Sequence, residues 1–490
     1  MRRPGPITPG LALSLVALGG VLAYLAASRA GGYIGFPLDD AWIHQTYARN
    51  LAQTGQLAFV PGQPSAGSTS PAWTVLLAIG YGLGLNFHLW TYTLGAMLLA
   101  VNAMLAYHMV LAYWPGARSA AWAAGLFVAV EWHLVWAAAS GMETLLFSTL
   151  VLLACLLSPT RHGGWLGLCA GLSLLVRPDG LLLLPLVLAR TAFDPGRSVR
   201  NGARVLAGFA GVCLPYLAFN QWLAGSPWPN TFYAKQAEYA VQRLAPLWQR
   251  LAQVGVLPLV GAQALLLPGL LRPVWRALRQ RQWEAVLLPL GWVAAMVGAY
   301  AVRLPVTYQH GRYLIPVIPV IIVAGVGGLA RIVQLQSPHL LARVGSRAGL
   351  AATLVLALVF WVLGSQAYMR DVQIIETEMV AAARWVSTHT AREARVAAHD
   401  IGALGYYGQR EVLDLAGLVS PAVIPFMRDE ARLGEWLQTS EADYLMTFPG
   451  LYPALVEKVE GGLKYQSGAP YSPAAGGENM AIYSLEVILP

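Results

Sequence analysis

Two adjacent carboxylates, Asp39 and Asp40, sit in the stretch GFPLDDAWIHQTYARN at residues 35–50, a few residues after a long apolar segment. Charge beside a bilayer is expensive and tends to mark function. The residues that follow place Ile43, Tyr47 and Leu51 at i, i+4 and i+8 and stop at Gly55, which predicts an amphipathic helix lying along a membrane surface. One aspartate can cap that helix, where exposed N–H groups favour a carboxylate. The other is left for chemistry, as a general base or as a ligand for a divalent cation.

The remaining ionisable residues of the apolar part are few. Glu143, in SGMETLL, sits in the first turn of a predicted helix and suits its dipole. Arg177 and Asp179, in LLVRPDGLLLLP, lie between two apolar runs with almost no loop. An arginine there either binds an oxyanion through its planar fork or forms a local pair with Asp179. Lys235, the first lysine of the chain, follows two prolines and three aromatics in GSPWPNTFYAKQ, and His310 and Arg312 share TYQHGRYLIP at the mouth of another apolar run. Arg177, Lys235, His310 and Arg312 together would make a cationic cradle for a phosphate. His44, Glu143, Asp179, Asn230 and Tyr233 are candidates for sugar or acceptor contacts. The hydroxyl-rich SAGSTSPAW at 65–73 reads as a turn or as the wall of a sugar pocket. Neither a Gly-rich phosphate loop, a zinc-binding His/Glu helix nor a nucleophile elbow occurs.

The elements that must hold these residues follow from composition. Of 490 residues, 57% are hydrophobic and only 11% charged, and mean hydropathy is +0.53. Soluble domains carry roughly 25% charged residues, so this is a membrane protein. The net charge of +8 reads as topology-setting arginine rather than a nucleic-acid surface, and no nucleic-acid partner is expected. Cys155, Cys169 and Cys213 all fall in apolar segments and read as packing residues. The first apolar stretch, beginning just after MRR, reads as a retained helix with its N-terminus inside.

Twelve apolar runs can be counted, and the Arg-rich segments 190–204, 272–281 and 331–347 are expected to be cytoplasmic. Twelve full crossings would reverse those loops. The run at 71–85, short, started by Pro71 and broken by glycines, resolves the conflict as a half-inserted segment within an external loop at 29–89. The sequence therefore predicts about 11 crossings plus juxtamembrane helices over residues 1–370. Residues 371–490 mix charge, glycine and short apolar strands such as RVAAHDIGALGYY, EVLDLAG and DYLMTF, and predict an extracytoplasmic α/β domain. This topology places every candidate site residue on the extracytoplasmic face.

As an ordered set, the stretches PLDDAWIHQTYARNLAQTG, SAGSTSPAWTVLLA, SGMETLLF, RPDGLLLLP, PNTFYAK, HGRYLIPVIP and DIGALGYYGQREVLDLAGLVSP resemble the GT-C superfamily of polytopic glycosyltransferases. The nearest look is to the branch of mycobacterial arabinofuranosyltransferases. The resemblance implies a polyprenyl-phosphate-linked sugar donor entering from the membrane, and a glycan, lipid or protein acceptor. It implies inverting transfer outside the bacterial cytoplasmic membrane, with the catalytic acid about eight residues before an ARNL-type turn. That spacing nominates Asp40 as the base, with Asp39 second. A paired DD in place of the Asp-Glu of other branches leaves metal use by these two residues open. The rival readings are a flippase of lipid-linked sugars, which would require ionisable groups at mid-membrane and repeat symmetry, and a scaffold that has no use for paired aspartates.

Overall fold

The computed structural model describes residues 8–194, 196, 198–280, 284–333 and 335–486. The MRR start, Arg197 and Arg281 of the basic segments, and the last four residues lie outside the described residues. Among the described residues, six helices are long and apolar enough to cross a membrane: Pro9–Ala30, Phe87–Tyr113, Val199–Leu223, Val286–Arg303, Gln309–Leu329 and Leu340–His389. Two bent pairs, Arg118–Val130 with Trp132–Ala139 and Leu247–Leu259 with Ala262–Trp275, raise the number to eight if each is one span. The other runs counted toward the expected eleven crossings lie in Thr144–Leu156, in Pro159–Val176, whose 18 residues are broken by a non-helical backbone at His162, and in Leu183–Phe193. Thr144–Leu156 has 13 residues, a length of ~20 Å against a hydrocarbon core of about 30 Å. The helix Pro71–Gly82, with 12 residues, is likewise too short to span.

The break between Arg118–Val130 and Trp132–Ala139 has a local cause. Glu131 caps the second helix, accepting the Leu134 N–H at 3.0 Å, and its other oxygen meets His133 Nδ1 at 2.8 Å. Helices Pro159–Val176 and Val199–Ala224 instead meet backbone to backbone. Gly163, Gly167 and Gly171 recur every four residues on one face, and a Cβ on Gly167 would stand 2.0 Å from the Val205 carbonyl oxygen. Small residues at such spacing are how membrane helices approach closely. The pairing fixes the end of Pro159–Val176, from which Arg177 departs.

The C-terminal part builds a five-stranded mixed sheet. With β1 (Ala58–Val60) and β2 (Gln63–Pro64) forming a hairpin earlier in the chain, its strands are β3 (Arg395–Ala398), β4 (Glu411–Asp414), β5 (Tyr444–Thr447), β6 (Leu463–Gln466) and β7 (Ala481–Ser484). Their order is β4-β3-β5-β7-β6, with β3 parallel to β4 and β5, and β7 antiparallel to its neighbours. The first three strands fall on the three stretches expected from sequence.

This domain presses on the helix Asp39–Thr54, which is not the surface helix expected. Ala41, Trp42, His44, Gln45, Tyr47, Ala48 and Asn50 are all buried, on every side of the helix. One stripe faces the membrane bundle; the other is covered by the segment after β3. Arg49 donates to the Tyr406 carbonyl at 2.7 Å, and Trp42 packs on Tyr406 and Tyr407. The capping expectation is corrected too. The helix is capped by Leu38 without a side-chain bond, and Asp39 instead accepts the N–H groups of Gly402 and Ala403 at 2.7 and 2.8 Å.

Replacing Gly167 by valine is expected to destabilise the bundle by about 1–3 kcal/mol, the usual cost of overpacking. The change should appear as a lower thermal unfolding midpoint in detergent. An unchanged midpoint would show that the two helices separate freely.

Candidate active site

The end of the buried helix Asp39–Thr54 puts Asp40 at the junction of two cavities. The larger, about 440 Å³, is walled by Asp40, His44, Glu143, Arg177, Asp179, Lys235, Tyr300, Arg303, Arg312 and Tyr313, with Leu181, Leu182, Phe232 and Leu304 supplying apolar surface. The smaller, about 110 Å³, lies toward the C-terminal domain and adds Asp39, Glu238, His399 and Asp400. Asp40, Lys235 and Arg312 line both.

Those three residues form one charge cluster. Arg312 Nη2 donates to Asp40 Oδ2 at 2.5 Å, and Lys235 Nζ stands 3.7 Å from the same oxygen. Tyr313 accepts from both cations, at 3.0 Å from Lys235 and 3.1 Å from Arg312. Burial alone would raise the Asp40 carboxyl, but Arg312 and Lys235 outweigh it and hold the group well below the usual carboxylate range. Arg312 is buried, and among the described residues its Nε and Nη1 have no hydrogen-bond partner. A buried guanidinium in the wall of a cavity, with two of its three nitrogens unpartnered, has hydrogen-bonding capacity left for an anion.

Arg177 behaves differently from expectation. Its fork holds Asp179 through two bonds of 3.0 and 2.8 Å, and Tyr300 donates to Asp179 at 2.8 Å. It is a neutralised pair in the cavity wall, the local alternative weighed above. His44 Nε2 lies 3.3 Å from Glu143 Oε2, both buried, so Glu143 faces a histidine rather than a helix dipole alone.

Three candidates lie elsewhere. His310 does not join the cationic wall: its left-handed backbone (φ 57°) turns the ring to Asp371, at 2.8 Å. Asn230 and Tyr233 do not line either cavity. The Asn230 N–H donates to the Ala66 carbonyl and the neighbouring Thr231 hydroxyl to that of Gly67, so PNTF serves to dock onto the SAGSTS loop, whose Ser68 and Thr69 do reach the larger cavity. Tyr233 is exposed. Residues missed from sequence are Tyr300, Arg303, Tyr313, Glu238 and His399. Tyr313 stands in the quoted HGRYLIP, whereas Tyr300 hides in an apolar run with no signal.

Metal ligation by Asp39 and Asp40 does not fit their surroundings. Asp40 already faces two cations, and both Asp39 oxygens accept backbone N–H groups from the other side. Among the described residues no group of three or more His, Cys, Asp or Glu is placed to hold a metal. In the smaller cavity, burial favours the neutral His399 ring, but Asp400 and Glu238 overcome it and push His399 up to about 10.

The structure superimposes on ArnT from Cupriavidus metallidurans bound to undecaprenyl phosphate with a TM-score of 0.59 at 14% identity, covering 99% of this chain and 100% of that one. It superimposes on the Archaeoglobus fulgidus oligosaccharyltransferase in its apo form with a TM-score of 0.61 at 12% identity, covering 90% of this chain and 69% of that one. The chain has the GT-C fold. An oligosaccharyltransferase AglB from Archaeoglobus fulgidus, in complex with an inhibitory peptide and a dolichol-phosphate, gives a TM-score of 0.56 at 12% identity, over 98% of this chain and 75% of that one. Residues 367–483 match a domain of unknown function, DUF8728. No curated protein matches the sequence.

Burial, with Asp400 close by, pushes the Asp39 carboxyl up to about 7 against its two backbone donors. A raised carboxyl binds more protons folded than unfolded, so its contribution to stability is complete below the unfolded value of 3.8 and is lost as pH rises through about 7. Thermal midpoints of the wild type should therefore fall between about pH 5 and about pH 7.5, and Asp39→Asn should flatten that slope. Parallel slopes for the two proteins would contradict the assignment.

Proposed function

We propose that this chain is an inverting glycosyltransferase that moves a sugar from a polyprenyl-phosphate donor to an acceptor hydroxyl at the extracytoplasmic face of a bacterial cytoplasmic membrane. The observation that carries the reading is the buried Arg312, bonded to Asp40 through one nitrogen and idle at its other two beside an apolar-walled cavity. Two GT-C neighbours have been seen with lipid phosphates, ArnT with undecaprenyl phosphate and AglB with dolichol-phosphate. The arginine-rich segments supply the sidedness.

The donor's phosphate lies in the larger cavity against the Arg312 guanidinium and Lys235, its lipid tail leaving along the apolar wall. The acceptor hydroxyl reaches Asp40 from the smaller cavity. Its oxygen forms a bond to the anomeric carbon on the face opposite the phosphate as the carbon–oxygen bond to phosphate breaks. The electron pair of that bond stays with polyprenyl phosphate, which gains one negative charge, and the acceptor proton passes to Asp40. Arg312 and Lys235 then stabilise charge where it develops. They also answer why a carboxylate held so far down can serve as a base: a bound phosphate competes with Asp40 for the same two cations and restores its proton affinity. His44 and Glu143, on the wall beside Asp40, face the sugar.

The acceptor can be a glycan, a lipid or a protein, and an arabinofuranosyl donor is one class to test among several. A flippase reading finds little support, because the buried Glu131–His133 pair is spent on capping a helix. Purified protein incubated with radiolabelled polyprenyl-phosphate sugars and a panel of acceptors should transfer label without nucleotide. Asp40→Asn should lower the rate by about 10²–10⁴-fold and Arg312→Gln by about 10²–10³-fold. Undiminished transfer by Asp40→Asn would remove the base, and no transfer from any donor would remove the reaction class.

A further inference from the structure

Arg312 is preceded by three consecutive residues in the left-handed region: Gln309, His310 and Gly311, with φ of 52°, 57° and 63°. Glycine adopts this conformation freely, and here it must, since a Cβ on Gly311 would stand 2.8 Å from Leu257 Cβ. Gln309 and His310 have no such freedom. Side chains persist in this region only where their surroundings over-determine it, and such positions cluster at functional sites.

What over-determines the turn is visible around His310. Its Nε2 meets Asp371 Oδ2 at 2.8 Å, and the same oxygen accepts the indole N–H of Trp136 at 2.9 Å. Its ring stands edge-on between Trp132 and Trp136, 5.5 and 5.4 Å from their centroids. Trp132 is itself fixed by a bond to the Val260 carbonyl at 2.8 Å. Asp371 belongs to the long helix Leu340–Ile375 and Trp136 to Trp132–Ala139, so elements from distant parts of the chain converge on one imidazole. Neither His310 nor Asp371 lines either cavity.

We infer that His310 and Asp371 are positioning residues that hold the left-handed turn in place and thereby set Arg312 on Asp40. Two residues beyond the clamped ring, Arg312 donates to Tyr313 and to Asp40, and nothing else in the described residues bonds its guanidinium. The turn sets where the Arg312 backbone enters, and these two bonds take up the guanidinium. The inference rests on the proposed reading of Asp40 and Arg312, and its test is chosen to be independent of turnover.

Carbodiimide attacks protonated carboxyls, so labelling with carbodiimide and glycine ethyl ester as a function of pH, resolved to single residues by fragmenting the peptide holding Asp39 and Asp40, reports when Asp40 takes up a proton. The charged groups facing Asp40 are Arg312, Lys235, His44 and Asp39, and Asp39 serves as an internal control that labels near neutrality. In the wild type, Asp40 should label only at the acid end. His310→Ala and Asp371→Asn should each move its labelling midpoint upward by about one pH unit, an increase of about tenfold in labelling at a fixed acidic pH. Arg312→Gln should move it in the same direction, and His310→Ala added to Arg312→Gln should add nothing. Trp136→Phe, which keeps the ring and removes one bond to Asp371, should give a smaller upward shift and guards against variants that fail to fold. An unchanged Asp40 midpoint in folded His310→Ala and Asp371→Asn, with Arg312→Gln shifted, would overturn the inference. Shifted midpoints in a protein that transfers no sugar would support the positioning role and overturn the proposed reaction alone.

Discussion

The ion pair between Asp40 and Arg312 is the contact on which the rest of the arrangement turns. Taking either charge out of water alone is prohibitive, and together they are tolerated only if geometry and further bonds compensate. Lys235 and Tyr313 complete that compensation on the cationic side, giving a cluster with one carboxylate, two cations and a shared phenol. The excess positive charge and the two unpartnered guanidinium nitrogens leave the cluster unfinished. In the proposed reaction the donor's phosphate completes it, and in doing so loosens the grip on the carboxylate. Binding and activation are thus two consequences of one electrostatic imbalance.

The neighbouring carboxylate does a different job with the same side chain. Asp39 faces the opposite way, accepting two backbone N–H groups of the C-terminal domain, and a Cβ on Gly402 would stand 2.0 Å from the Asp39 carbonyl oxygen. Consecutive residues on a helix point about 100° apart, so one pair of aspartates can tie the helix to the outer domain and present a charge to the cavity at once. The paired acids are therefore a joint between two bodies, with one residue for each.

The sequence made the charged members of the site legible because charge is conspicuous in an apolar chain. Asp40, Arg177, Lys235 and Arg312 stood out by rarity and by their place at the ends of apolar runs. What was not legible depends on handedness and on distant packing. His310 and Arg312 look equivalent in QHGR, and only the backbone conformation sends one to Asp371 and the other to Asp40. Tyr300 is indistinguishable from a packing residue, and His399 arrives from a domain that sequence spacing cannot dock. Periodicity points to an interfacial helix at Asp39–Thr54 because it reports one apolar stripe and is silent about what covers the opposite face. The crossing count suffers similarly, since hydropathy registers 13-residue and 22-residue helices alike.

The most direct measurement is a structure of the protein in lipid nanodiscs with undecaprenyl phosphate added. The account predicts the phosphate in the larger cavity, with its oxygens at about 3 Å from the Arg312 guanidinium and from Lys235, and with the bond from Arg312 to Asp40 lengthened. A phosphate seated elsewhere, with Arg312 still bound to Asp40 and its other nitrogens idle, would contradict it.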